Sequence, residues 1–276
     1  MASKSPDLAA GPSASEMDAL VLCGGFGTRL REETEFRPKP MVEIGGRPIL
    51  WHILKHYGAH GVGRFVLCLG YKGDFIRDYF IHYHNRSHDL EVDVGGGAVE
   101  VIPTEREDHL VGKVVLAETG QDSLTGRRIV KALPHIRGDT FLATYGDAVS
   151  DVDIDAVLDT HRRMGRMATV TAVRPSSRFG ELAIDGGMIT SFAEKPQVAE
   201  GWINGGYFVF EKRAFDLLGP GSNEPLESGV LEKLASMGEL AVHEHRGFWQ
   251  CMDTAREMQL LNDMWSSGAA PWRTWA

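Results

Sequence analysis

Cysteine is scarce. The three present, Cys23, Cys68 and Cys251, fall at spacings that suit neither a disulfide framework nor a thiolate metal site. Cys23 and Cys68 sit inside apolar, strand-like runs and read as small core residues of a reducing compartment. Basic residues are also short: 29 Lys and Arg against 38 Asp and Glu leave a net charge of −9. That balance excludes a general nucleic-acid binder and an anionic membrane surface as partners, although it leaves room for a local basic pocket. No run approaches the roughly 20 apolar residues that a transmembrane helix requires. The first 16 residues, MASKSPDLAAGPSASE, lack the apolar core of a secretory signal and read as a disordered leader. Residues 17–276 then form a single domain, expected in the cytoplasm. Gly-x-x-x-x-Gly-Lys-Ser/Thr, Gly-x-Gly-x-x-Gly and Gly-x-Ser-x-Gly are all missing. The eleven histidines show no ligand spacing: His82, His84, His88 and the pair His243 and His245 have no cysteine or carboxylate joined to them.

What is present is organised around Met17–Pro40, MDALVLCGGFGTRLREETEFRPKP. Ala19–Cys23 is too short for a helix and reads as a buried strand. It empties into Gly24–Gly25–Phe26–Gly27 and then Thr28–Arg29. Glycines without a Cβ let several backbone N–H groups approach a phosphate closely, and a guanidinium suits phosphate oxygens. Ten residues on, Arg37–Pro38–Lys39–Pro40 adds a second cationic cluster that two prolines stiffen. An ordinary βα turn explains GGFG alone equally well; the added cations turn the reading towards a polyphosphate.

The pattern repeats downstream. Pro48 opens a helical stripe at Ile49, Leu50, Ile53, Leu54 and Tyr57, Arg64–Leu69 is a second buried strand, and Gly70–Tyr71–Lys72–Gly73 leads into a helix over 74–83. Such βαβα alternation predicts an α/β, Rossmann-like three-layer fold, a mainly parallel sheet flanked by helices, with ligands beyond the carboxyl ends of the strands. Residues 89–117 alternate apolar and polar, as antiparallel strands or an excursion from that sheet. A strand at 141–145, a helix at 154–164 and a strand at 167–173 follow. The remainder is strand-dense, at 181–184, 189–193 and 202–210, with helical spacing at 226–237 and 255–265.

Several polar residues fall at strand ends. Asp147 follows Gly146 after the strand at 141–145, and Asp253 follows Phe248–Met252. Either aspartate alone suits a turn or a helix N-cap. Together, beside a polyphosphate loop, they match Mg²⁺, which often takes one or two carboxylates plus phosphates and waters. Lys195 in Glu194–Lys195–Pro196 is a second cation or a solvated charge. Asn204–Gly205–Gly206 is a site for sugar hydroxyls or a strand bulge, and Arg178–Glu181 supplies a further acid. Thr119–Gly126, TGQDSLTG, is a donor-rich loop.

These passages resemble the sugar nucleotidyltransferase superfamily, and within it the glucose-1-phosphate cytidylyltransferases. The likeness runs from Met17 to Trp275 through LCGGFGTRL, PKPMVEIGGRPILWHILK, GYKGDFIRDYF, TGQDSLTGRR, TYGDAVSDVD, FGELAI, FAEKPQ, INGGYFVF, GFWQCMDT and APWRTW. The resemblance implies the nucleotide-diphospho-sugar transferase fold with small β-rich sugar-binding additions. It further implies cytidylyl transfer from CTP to α-D-glucose 1-phosphate, with Mg²⁺ as cofactor and a homo-oligomer. By the same resemblance Leu22, Gly24, Gly25, Gly27, Thr28 and Arg29 hold the CTP phosphates, Lys39 and Arg29 are catalytic, and Asp147 and Asp253 bind the metal. Thr119, Gly120, Ser123, Thr125 and Gly126 lie at the base, and Glu181, Lys195, Asn204 and Gly205 at the sugar phosphate. The chain departs from the family's pattern at Cys23 (alanine), Arg37 (lysine), Ala148 (glycine) and Arg127 (a second glycine). Arg127 bears on the choice of base, which leaves dTTP, UTP or another sugar 1-phosphate as alternatives. A non-catalytic sensing subunit is the alternative of another class. The aromatic tail, Trp265, Trp272 and Trp275, is expected to pack within its own subunit.

Overall fold

The computed structural model describes residues 12–27, 30–102, 109–175, 181–185, 188–193 and 201–275. In chain order the elements that matter here are β1 (Ala19–Leu22), α1 (Ile49–Ala59), β2 (Arg64–Leu69), α2 (Gly73–Ile81), α3 (Tyr83–Ser87), β3 (Asp89–Val92), β4 (Val99–Ile102) and β5 (Lys113–Glu118). They continue with α4 (Thr125–Ala132), β6 (Thr140–Tyr145), β7 (Ala148–Ser150), α5 (Ile154–Met164), β8 (Ala168–Val173), β9 (Ile203–Asn204), β10 (Phe208–Glu211), β11 (Leu240–Glu244), β12 (Trp249–Cys251) and α6 (Ala255–Ser266).

Eight strands form the central sheet in the order β9-β8-β10-β6-β1-β2-β5, with β11 added beside β8. β6, β1, β2 and β5 are parallel neighbours, and β10 enters antiparallel to β6 and β8. The reason lies in the strand sequences. Ala19–Leu22 and Phe65–Leu69 are buried on both faces, so their apolar runs are continuous rather than alternating. Ala19 and Val21 of β1 enter one core with Phe65 and Leu67, and Leu20 and Leu22 enter the other with Val66 and Cys68. α1 and α5 cover the first core through Ile53, Leu54, Val157 and Leu158; α4 covers the second through Ile129 and Ala132. Each such side chain contributes roughly 1.5–3 kcal/mol by leaving water.

The expected three-layer α/β architecture is therefore present, with four local corrections. Ala14–Glu16, inside the expected leader, form a short 3-10 turn with a Ser13/Glu16 capping box, and Ala14 is buried. Within 89–117, only β3 and β4 make the antiparallel excursion; Lys113–Glu118 is a parallel strand of the main sheet beside β2. The run at 202–210 divides into β9 and β10, because Gly206 and Tyr207 take left-handed backbone conformations between them. The segment at 226–237 starts as a π turn over Glu227–Leu231 and becomes α-helical only at Glu232–Ser236.

Two buried polar groups tie these layers together. Arg128 of α4 is 4% exposed, and its guanidinium donates to Gly24 O (2.9 Å), Leu69 O (3.1 Å), Thr119 Oγ1 (2.8 Å), Gly120 O (2.8 Å) and Gln121 O (3.0 Å). It thus holds the carboxyl ends of β1, β2 and β5 in one place. A Cβ at Gly24 or at Gly70 would strike the guanidinium and displace it from its hydrogen bonds. His56 of α1 is buried, with its Nδ1 3.1 Å from Thr274 Oγ1 in the C-terminal tail. Trp272 in the same tail is fully buried and donates from Nε1 to His52 Nδ1 at 3.3 Å. The tail packs on its own subunit, as its aromatic content implies.

Burial, with the neighbouring His60 adding to it, pushes the His56 pKa down from 6.5 to about 4. A histidine depressed in the folded state gives full stability above pH 6.5, lost as pH falls towards 4 while the unfolded chain takes up the proton. Urea denaturation should lose at most roughly 3 kcal/mol from this group across that window, and His56→Gln should flatten the loss. Arg128→Met keeps roughly the side-chain length but removes five donated hydrogen bonds. It should cost about 3–5 kcal/mol in the same assay and speed amide exchange over residues 119–123.

Candidate active site

At the carboxyl edge of the parallel strands lies a cavity of about 420 Å³, a size suited to a small-molecule ligand. Its floor is the end of β1 with Gly24, Gly25, Phe26 and Gly27; one wall is Asp122–Thr125 with Arg128; the opposite wall carries Lys39, Asp147 and Asp253. Local folding places each. Lys39 starts a single 3-10 turn between Pro38 and buried Pro40, and those rings fix its backbone direction. Asp147 precedes β7 and Asp253 follows β12; these strands form an antiparallel ribbon, so the two aspartates meet at one end of it. Met252 N donates to Asp147 O at 2.9 Å, which fixes that meeting point.

The helix-cap role weighed for both aspartates goes elsewhere, while Asp147 does sit in the turn that joins β6 to β7. Thr254, not Asp253, caps α6: its hydroxyl accepts from Glu257 N, and the Glu257 carboxylate accepts from Thr254 N and Asp253 N. Asp147 opens no helix but enters β7 directly. A Cβ at Gly146 would lie 2.8 Å from Leu22 O, so that glycine permits β1 and Asp147 to approach. Ala148 is buried in an extended strand without left-handed backbone, and alanine there carries no strain.

Both carboxylates take one cation. Lys39 Nζ donates to Asp147 Oδ2 at 2.7 Å and to Asp253 Oδ1. Its side chain is only 11% exposed. Burial by itself lowers a lysine pKa, but the two carboxylates outweigh it and hold Lys39 above the ordinary value. The ammonium therefore stays charged throughout the neutral range. The thiols contribute no nucleophile: burial raises Cys23 well above its usual value and pushes Cys68 and Cys251 up to about 12.

Of the residues singled out in the sequence, Leu22, Gly24, Gly25, Gly27, Lys39, Ser123, Thr125, Asp147 and Asp253 line this cavity together. Thr119, Gly120 and Gly126 do not. Thr119 is buried behind the loop, where its hydroxyl donates to Leu69 O and accepts from Arg128; Gly126 packs against Glu224 O; and Gly120 faces a shallow outer depression. Asn204 reaches the cavity only through Tyr145, donating to its hydroxyl at 3.2 Å, while Gly205 O accepts from Trp249 Nε1. Thr28, Arg29, Lys195 and the side chain of Glu181 lie outside the described residues. Arg127 lines the outer depression with Lys131 and Asn223 rather than the cavity.

Three residues were missed. Arg128 shares the inward face of α4 with Ile129 and Ala132, and that helical phase was the available signal. Tyr145 lines the cavity and donates to Glu227 Oε1 at 2.7 Å, and Glu227 lies in the π turn. Nothing in the local sequence marked that long-range pair. Among the described residues one further cluster, His60 with Asp153 and Asp155, lies at the start of α5. Asp153 serves there as the helix cap, accepting from Ala156 N.

Comparison with known proteins follows the same lines. A family model described as nucleotidyl transferase matches residues 18–262. The chain is 45% identical over 260 residues to a glucose-1-phosphate cytidylyltransferase from Salmonella typhi, covering 94% of this chain and 100% of that one. It is 41% identical over 259 residues to a probable glucose-1-phosphate cytidylyltransferase from Bacillus subtilis strain 168, with the same coverage. Among solved structures, HddC from Yersinia pseudotuberculosis has a TM-score of 0.63 at 21% identity, covering 90% of this chain and 99% of that one. The inositol-1-phosphate CTP transferase from T. maritima has a TM-score of 0.60 at 17% identity, covering 96% and 99%. At those identities the two structures speak for the fold alone. With a family match across nearly all of its length and relatives this similar from end to end, the chain belongs to the nucleotidyl transferase family.

Proposed function

We propose that the protein transfers a cytidylyl group from CTP to α-D-glucose 1-phosphate, releasing CDP-glucose and pyrophosphate. The observation that carries this is the convergence of Lys39, Asp147 and Asp253 on one wall of a cavity floored by a glycine loop. The choice of substrates rests on the full-length cytidylyltransferase relatives. Arg127 was the one residue that favoured another base, and its place outside the cavity removes that reason. The intact wall of Lys39, Asp147 and Asp253 argues in the same way against a catalytically silent subunit. We place the protein in the cytoplasm.

An oxygen of the sugar phosphate attacks the α-phosphorus of CTP, and the bond to the bridging oxygen of pyrophosphate breaks in line with it. That phosphate oxygen is already ionised near neutral pH, so no side-chain base is needed. Catalysis is positioning and charge stabilisation. The backbone of Gly24–Gly27 receives the phosphates, and Arg29 is assigned beside it. Lys39 supplies a permanent positive charge at the transferred phosphoryl. The donor set fits Mg²⁺: two carboxylates close enough to share one cation, both lining the cavity. Asp147 and Asp253 would hold it, and it would supply charge screening between carboxylates and phosphates and Lewis-acid stabilisation of the phosphoryl oxygens. Ser123 and Thr125 face the base, and Tyr145 with Asn204 borders the sugar.

Asp147→Asn and Lys39→Ala should each lower pyrophosphate release ~10²–10³-fold, by analogy with loss of an oxyanion-hole donor, with the thermal midpoint measured alongside to verify folding. Near wild-type turnover in a folded variant would remove the assigned role. In a panel of four nucleoside triphosphates against several sugar 1-phosphates, CTP with glucose 1-phosphate should give the highest kcat/KM. EDTA should abolish release, and added Mg²⁺ should restore it.

A further inference from the structure

The cavity wall at Asp122–Thr125 is braced from behind by a segment far along the chain. Asn223 clasps that stretch: its Oδ1 accepts from Leu124 N at 2.8 Å, and its Nδ2 donates to Asp122 O at 3.1 Å. Three residues on, Leu226 N donates to Thr125 Oγ1 at 2.7 Å. The two segments come this close because residue 126 is glycine; a Cβ there would lie 2.8 Å from Glu224 O. Glu227 then opens the π turn, a rare geometry that often marks functional positions. Its carboxylate meets two hydroxyls that line the cavity. Oε2 accepts from Thr125 Oγ1 at 3.3 Å, and Oε1 accepts from the Tyr145 hydroxyl at 2.7 Å.

A hydroxyl carries one proton and two lone pairs, whereas a carboxylate only accepts. The protons in both contacts therefore come from the hydroxyls. Burial, and after it Glu227, hold the Tyr145 pKa above its ordinary value, so that hydroxyl keeps the proton it donates. Ser123 is committed in the same way: its hydroxyl donates to Thr119 O at 2.5 Å and accepts from Lys131 Nζ at 3.0 Å. The terminal nitrogens of Arg128 in the same wall donate to carbonyls and to Thr119. The hydroxyl protons of this wall are thus turned into the protein. What remains to Ser123 and to Thr125 is one lone pair each.

Pyrimidine bases differ in what they present to such a wall. Cytosine carries an amino group at C4, a donor, where uracil and thymine carry a carbonyl, an acceptor. We infer that Glu227 sets the choice of base: by taking the Thr125 proton it holds that hydroxyl as an acceptor for the 4-amino group and denies a donor to a 4-carbonyl. Glu227 is a positioning residue, because it acts through Thr125 and is not among the residues that line the cavity. A base whose polar group finds no partner there is rejected by the cost of leaving it unpaired. This role rests on the cytidylyl reading above, with the base at this wall. The glycine loop and the wall of Lys39, Asp147 and Asp253 take the phosphates, which leaves Asp122–Thr125 for the base.

Initial rates of pyrophosphate release with CTP and with UTP, at saturating glucose 1-phosphate, test it. Glu227→Ala releases the Thr125 proton towards the cavity. Its kcat/KM for UTP should rise, and its CTP-to-UTP ratio should fall about tenfold, on the scale of one hydrogen bond. Thr125→Val should lower kcat/KM for CTP without raising that for UTP, and adding Glu227→Ala to it should move the ratio no further. Loss of folding or of general positioning lowers both nucleotides alike. A Glu227→Ala protein whose CTP-to-UTP ratio equals that of the wild type therefore overturns the inference and leaves the reaction standing. If that variant does not fold, Thr125→Val decides: a loss confined to CTP supports the held acceptor, and an equal loss on both nucleotides overturns it. A wild-type protein that takes UTP as readily as CTP overturns the proposed choice of base and this role with it.

Discussion

The carboxylates of Asp147 and Asp253 sit close enough to share one ammonium, and most of the molecule's chemistry follows from what it takes to keep them there. Two like charges at the mouth of a partly buried cavity repel unless a cation lies between them. Lys39 supplies it, at a turn that Pro38 and Pro40 hold in direction. The β7–β12 ribbon brings the acids to the same end, and Thr254 takes the helix cap that would otherwise occupy Asp253. Each feature looks local, yet all serve one electrostatic requirement. A wall built this way sets one ammonium against two carboxylates and keeps a net negative charge, which a bound cation would offset before phosphates approach.

The facing side of the cavity obeys a different rule. Arg128 spends its donors on backbone carbonyls and one hydroxyl rather than on a carboxylate. It acts as a staple across three strand ends beside the glycine loop. One wall is therefore rigid through a saturated hydrogen-bond network. The other is a charge cluster whose members have alternative partners once a polyanion is present.

Much of this was legible in the sequence. β1 and β2 are continuous apolar runs that empty into glycine turns, and a run buried on both faces has few other solutions in an α/β protein. Asp147 and Asp253 stood at strand ends, where side chains project from the ligand-binding edge, and Lys39 stood between two prolines. What was not legible depended on partners far along the chain. Arg127 and Arg128 are adjacent and chemically identical, and only the phase of α4 against the sheet sends one outward and the other into the cavity. Tyr145 and Glu227 are 82 residues apart, with nothing near either to announce the contact. The Lys113–Glu118 strand is the last of the sheet and only partly buried along most of its length, and its four-residue apolar run is too short to reveal a parallel partner.

The ribbon that unites the two aspartates also sets an order in time. Lys39 finds Asp147 across 108 residues but Asp253 only across 214. A nascent chain emerges from its amino end. The glycine loop, the first carboxylate and most of the central sheet can therefore assemble while the second carboxylate, its ribbon strand and the tryptophan tail that seals α1 are still unmade. During that interval the glycine loop stands without its full charge wall, which only β12 and the turn before α6 complete.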